Sequence, residues 1–234
     1  MAYEEGDFEE AGNLQREALR LRRNLDDPRE VATSLNNLGS LHFAMGRHEE
    51  ARELCVECLL LQRRLGDPTG EVISLQNLGH IALALGEPDE AERRLQESLD
   101  AARRLRHGVL TARSLLGLGA AARSRGRAAE VRRYMQPALA RAMQIGAEPL
   151  AIEAILGTAW ALGHDGDVRP ALELVGAVLG HPDLDPGTRG AAERLLQEFQ
   201  DSLHPHAIAE ALEAGRSLTL REAAVRLAGM LPVE

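Results

Sequence analysis

The chain contains no lysine. All 27 of its basic residues are arginine, set against 36 acids, and the formal charge is −9. That balance opposes non-specific attraction to DNA, RNA or an anionic membrane, so no direct nucleic-acid or membrane role is expected. Aromatic residues make up only 3% of the 234 positions. Alanine and leucine dominate the apolar set and runs of valine, isoleucine or threonine are few, which favours helix over sheet. Cys55 and Cys58 are the only cysteines, too few for a disulfide framework. No apolar run is long enough to span a bilayer, and the opening MAYEEGDFEE is acidic without an apolar stretch, unlike a secretory signal. A reducing, cytoplasmic setting is the expectation.

What the chain does have is a repeat. SLNNLGSLHFAMGRHEEA (34–51) returns from residue 74 as SLQNLGHIALALGEPDEA. Steps of 40 residues give Gly6, Gly46, Gly86, Gly126 and Gly166, then Ala11, Ala51, Ala91, Val131 and Ala171. Leu25, Leu65, Leu105 and Ile145 form another series, and Asp27-Pro28 recurs as Asp67-Pro68. A period of this length signals a solenoid or an array.

Each unit reads as two helices. Asp27 caps the first, Pro28 fits its first turn, and Glu30 is placed to complete a capping box. The glycine of the MGR or LGE stretch ends the first helix, supplying the left-handed conformation a tight turn requires. That helix carries acids in its first turn (Glu49, Glu50; Asp89, Glu90) and an arginine pair near its end (Arg63, Arg64; Arg103, Arg104), matching the helix dipole. Gly39 and Gly79 lie mid-helix, where glycine costs about 1 kcal/mol against alanine. Close approach of a partner helix offsets that loss, with Ala51 and Ala91 expected across the contact.

The spacing Leu35-x2-Leu38-Gly39-x2-His42 followed by Ala51 resembles the tetratricopeptide pattern W-x2-L-G-x2-Y…A, stretched from a period of about 34 to 40. HEAT and armadillo repeats have similar periods, but the Leu-Gly…Gly…Ala spacing argues against them. The expected fold is all-α: a right-handed α-solenoid of about five hairpins over 1–180, the first incomplete, with capping helices over 181–234. Gly6 falls five residues from Met1, so most of one first helix is missing. A solenoid end normally carries a polar cap. The chain is therefore expected to belong to a longer protein, or to be covered at that end by a partner or a second copy; the alternative is that residues 1–5 simply fray.

The fourth and fifth units drift. Pro137 falls inside a helix it should kink or break, and Thr158-Ala159 replaces Leu-Gly. Asp185-Pro186 starts a new helix over about 187–202, a short one ends at Gly215, and Thr219 with Glu222 opens the last, to about Gly229. This tail, LELVGAVLGHPDLDPGTRGAAERLLQEFQ and then Gly215-Arg-x-Leu-x-Leu-x-x-Ala223, resembles the end of the repeat region in STAND-type bacterial signalling ATPases. In that family the repeats form the sensor arm. The nucleotide-binding and effector domains lie elsewhere, so no ATPase or DNA-binding activity is implied.

No chemistry-bearing constellation emerges. Cys55-x2-Cys58 lacks the further ligands a zinc site needs and falls on core positions. His204-Pro-His206 reads as a helix boundary. Gly117-Leu-Gly119 has no preceding strand, as a dinucleotide fingerprint requires. No catalytic residue, metal ligand or cofactor site is assigned. The tetratricopeptide resemblance implies a concave face lined by first helices, where variable polar residues hold a ligand. Asn37 and Asn77 would bond a peptide backbone and Arg113 a carboxylate, with Asn36, Gln76, His80, Arg123 and Trp160 beside them. Their partner would be a protein, a peptide or a small-molecule inducer. The competing reading is structural: asparagines bonded within the stack, Arg113 paired with Glu153, and Trp160 filling space.

Overall fold

Pairs of helices recur along the chain because its turn signals recur. The computed structural model describes residues 5–25 and 27–230, which hold twelve helices and no strand. They divide into two compact units after Leu110. The first contains α1 (Glu5–Asn24), α2 (Pro28–Ala44), α3 (His48–Leu65), α4 (Pro68–Ala84) and α5 (Pro88–Arg104), and α6 (Gly108–Ser124) begins in it. The second holds the rest of α6, then α7 (Ala128–Ile145), α8 (Glu148–His164), α9 (Val168–Leu179), α10 (Pro186–Phe199), α11 (Pro205–Arg216) and α12 (Leu220–Met230).

The starts follow the caps. The Asp27 carboxylate accepts from the backbone N–H of Arg29 and Glu30, Asp67 from Gly70, and Asp185 from Thr188. Glu30 does not close a capping box; its carboxylate pairs instead with Arg22, 3.0 Å away. The guanidinium is a charged donor, whereas the Asp27 N–H is a neutral one, so the ion pair wins. The full box forms later, where Thr219 and Glu222 exchange bonds of 2.7 and 3.2 Å.

Two turn series alternate. Gly46, Gly86, Gly126 and Gly166 take positive φ between first and second helices, at +73°, +75°, +68° and +94°. Gly66 and Gly146 do the same after the second helix, and between them Arg106 adopts φ +53° without glycine's freedom. A left-handed arginine costs roughly 1–2 kcal/mol. Gly6 departs from its series: it lies inside α1, one residue from that helix's first described residue. Residues 1–4, directly before Glu5, fall outside the described region.

Within the hairpins, the mid-helix glycines do mark close approach, but with different partners. A Cβ on Gly39 would sit 2.8 Å from Cys55 Sγ, and one on Gly79 2.5 Å from Leu95 Cγ; over Gly119 lies Met135. Ala51 faces Gly39 only through its carbonyl. The space is filled one helical turn beyond the alanine, because longer side chains reach back over the preceding turn. Cys55 and Cys58 are fully packed, and burial pushes the Cys55 thiol up to about 12 and raises Cys58. Cys58 Sγ donates to the Ala32 carbonyl, as Ser98 Oγ does to Val72 one repeat on. Ser34, Ser74 and Ser114 are wholly buried at matching positions; Arg22 donates to Ser34, and Ser74 donates to the side-chain Oε1 of Gln62 at 2.6 Å. The arginines at helix ends also tie successive second helices: Arg23 pairs with Glu57 and Arg63 with Glu97. Such exposed pairs contribute about 0–1 kcal/mol each.

In the second unit α7 runs unbroken through Pro137. The proline lies on the exposed face, where the carbonyl it leaves without a donor can take one from water. Gly215 does not end a helix: α11 continues to Arg216, and Gly215 is buried against α9. A Cβ there would lie 2.8 Å from the Glu173 carbonyl carbon and 2.9 Å from Ala177 N, and one on Gly176 would strike Leu212 backbone. Helices α9 and α11 thus cross backbone to backbone. Phe199 at the end of α10 covers Gly163 on α8.

Candidate ligand-binding surface

In the first unit, α2 and α4 run side by side and expose equivalent positions of the repeat. Asn77 on α4 donates from its side-chain amide to the Asn36 side-chain carbonyl on α2, at 2.9 Å. A cavity opens on each side of this bridge. The larger, about 480 Å³, is lined by Arg29, Thr33, Asn36 and Ile73 together with the turn from Leu65 to Gly70. The smaller, about 140 Å³, is lined by Ser40, Phe43, Asn77, His80 and Ile81 over the Gly39–Cys55 contact. Asn36 lines one and Asn77 the other, so the bridge is the saddle between them.

Asn37 is exposed on α2, and His80 is half-buried in the smaller cavity. Gln76 is not available in the same way. It is 4% exposed, and its amide donates to the Leu110 carbonyl at 2.9 Å. A buried amide must find partners within the stack, and the backbone end of α6's first turn supplies one. Arg29, Ser40 and Phe43 were not foreseen. Phe43 is 36% exposed, a large apolar side chain on a polar helix face. Its equivalents are Leu83, Arg123 and Gly163, and this lack of constraint was the signal in the sequence.

The remaining candidates lie in the second unit. Arg113 is exposed on α6. Glu153, at its equivalent position on α8, keeps exposed area, yet crowding atoms desolvate its carboxyl and raise its pKa while the Arg113 charge opposes the rise. Trp160 is not the exposed anchor expected from its polar neighbours: it is 4% exposed. Its ring centroid lies 4.0 Å from that of His164, and the Arg123 guanidinium sits 5.1 Å above it. Arg123 is itself held by Glu198 of α10 at 3.1 Å. A large ring held between an imidazole and a cation gains more from burial than from exposure.

Among the described residues, no group of three His, Cys, Asp or Glu is placed to hold a metal, and no helix is long and apolar enough to cross a membrane. His204 is a cap residue, its Nδ1 accepting from the His206 N–H. Residues 30–104 match the family model for the tetratricopeptide repeat. That segment carries tetratricopeptide repeats. No curated protein sequence matches it. Among solved structures, a signal transduction ATPase with numerous domains from Pyrococcus horikoshii, which has a tetratricopeptide repeat sensor, superposes with a TM-score of 0.71 at 15% identity, over 96% of this chain and 35% of that one. A Rap protein complexed with competence and sporulation factor gives 0.69 at 15% identity, over 96% and 64%. BtubC from P. vanneervenii gives 0.63 at 22% identity, over 86% and 77%. These likenesses show the fold, an all-α solenoid of tetratricopeptide-like hairpins. Repeats of this kind are interaction modules, and such scaffolds are in general non-catalytic.

Proposed function

We propose that the chain is a ligand-sensing arm that binds an extended peptide segment across α2 and α4. The Asn36–Asn77 bridge between two cavities carries this reading. The bridge uses one donor of Asn77 and the carbonyl of Asn36. It leaves the Asn36 amide donors and the Asn77 carbonyl acceptor, a complementary pair for the N–H and C=O of one ligand residue. Side chains on either side of that residue enter the two cavities, and Phe43 gives the smaller an apolar wall. The likeness of the tail to STAND-type ATPases, and the superposition on one with a repeat sensor, support the arm of a larger regulator. An in-frame nucleotide-binding domain encoded upstream supports that assignment; an in-frame stop there overturns it.

Random peptides displayed on phage and selected on the full chain test the binding face. Selected peptides are expected to lose at least tenfold affinity on Asn36→Ala with Asn77→Ala, and to be indifferent to Gly190→Ala on α10. Peptides that bind the double variant equally well place recognition elsewhere.

A second reading has its own observation. Leu14 and Leu21 on α1, and Leu25 just past its end, are 67%, 49% and 77% exposed. The equivalents of Leu14 and Leu21 one repeat on, Leu54 and Leu61 of α3, pack against the core of their own α2–α3 hairpin. An apolar stripe that no described element covers favours self-association through α1. Sedimentation at rising concentration is expected to show a dimer that Leu21→Glu abolishes. A monomer at every concentration rejects it.

A further inference from the structure

We infer a second ligand site, for a medium-chain carboxylate, between α7 and the last helix. Helix α9 runs only 12 residues where α3 and α7 have 18, and α12 comes in beside it to pack on α7, α8 and α9. Between α7 and α12 it leaves a cavity of about 460 Å³. That volume falls in the lower half of the range typical of small-molecule pockets, ~300–1,000 Å³.

The lining grades from dry to wet. Leu139 and Leu227 are buried at its floor, at 6% and 3% exposure, and Met143 adds an unbranched, adaptable wall. Val225 at the mouth is 68% exposed, an isolated apolar side chain that a ligand would cover. Arg221 lies four residues before it, on the same face of α12, and Gln136 of α7 lines the cavity too. Among the described residues no ion pair engages Arg221, whereas the arginines at Arg216 and Arg226 on either side are paired with Glu213 and Glu173. A free guanidinium at the rim of an apolar cavity, on a chain of charge −9, selects an anion with an apolar body. One cation suits one negative charge. The planar fork suits a carboxylate, with the Gln136 amide as a further donor. The occupant is a flexible chain ending in a carboxylate, tail on Leu227 and head at Arg221. This site is built from the second unit alone and does not depend on the peptide reading.

Calorimetric titration of decanoate into the full chain, below its micellar concentration, tests the site, with decyltrimethylammonium as the cationic counterpart. One decanoate per chain is expected, bound at least tenfold more tightly than the cation. Arg221→Glu should weaken decanoate at least tenfold and reverse that preference. Val225→Glu should abolish binding while the helical signal in circular dichroism stays intact, and Asn77→Ala should leave decanoate unaffected. Both substituted positions are exposed, so folding survives them. Many weak sites, equal affinity for the cation, or decanoate binding indifferent to Arg221→Glu would overturn the proposal.

Discussion

Gly215→Ala is expected to lower stability by about 3 kcal/mol and to loosen α11 from α9. The added methyl would meet the Glu173 carbonyl carbon at 2.8 Å and Ala177 N at 2.9 Å. Both are backbone atoms inside α9, so no rotamer change relieves the contact, and the helices must separate. Overpacking of this kind costs about 1–3 kcal/mol when side chains can yield and more when they cannot. Separation would also open the crossing at Gly176, where the Leu212 backbone lies against the glycine. Gly190→Ala on α10 is the control. Its Cβ would meet only the tip of Arg194, at 3.4 Å, and removing a helix glycine should stabilise by about 0.5–1 kcal/mol. Urea unfolding followed by far-ultraviolet circular dichroism reads both. Trp160, the only tryptophan, reports the second unit by fluorescence. Equal midpoints for Gly215→Ala and the parent would remove the close crossing from the fold.

Leu75→Ala should cost about 2–5 kcal/mol, the range for leucine truncation in a packed core. Leu75 has no exposed area and packs with Ala51, Cys55, Leu59, Leu78 and Ile81 where α3 meets α4. In a repeat stack each hairpin is held mainly by its neighbours, so a cavity between two of them weakens an interface as well as a core. Leu25→Ala supplies the contrast. That leucine is 77% exposed just past the end of α1, and its loss should move stability by less than about 0.5 kcal/mol. The two unfolding midpoints are compared in the same denaturant series. Similar shifts for both would mean that burial does not organise the hairpins as described.

Most of the fold was legible because it is written repeatedly. Asp-Pro starts, turn glycines and mid-helix Gly39 and Gly79 each recur, so chance is averaged out and the hairpins follow. What could not be read were choices made between competing partners. Glu30 had two geometries open to it and took Arg22; Gly215 looks like a helix stop in sequence but serves a crossing that depends on distant Glu173. The candidate surface was legible as a set of positions, since Asn36 and Asn77 fall on variable letters of one face. Their bond to each other, the burial of Gln76 beneath Leu110, and the enclosure of Trp160 by Arg123 depend on how neighbouring helices are set. A single hairpin's letters do not contain that.

The buried donor from Cys58 or Ser98 to a carbonyl 26 residues earlier has an engineering consequence. Because the bond is made inside one hairpin and reproduced in the next, a duplicated cassette of residues 28–67, spliced in after Asp67, would bring its own donor and its own acceptor. Copying the cassette therefore carries this interior bond with it, and the joint between copies is left to the leucines at 35 and 38, which match Leu75 and Leu78.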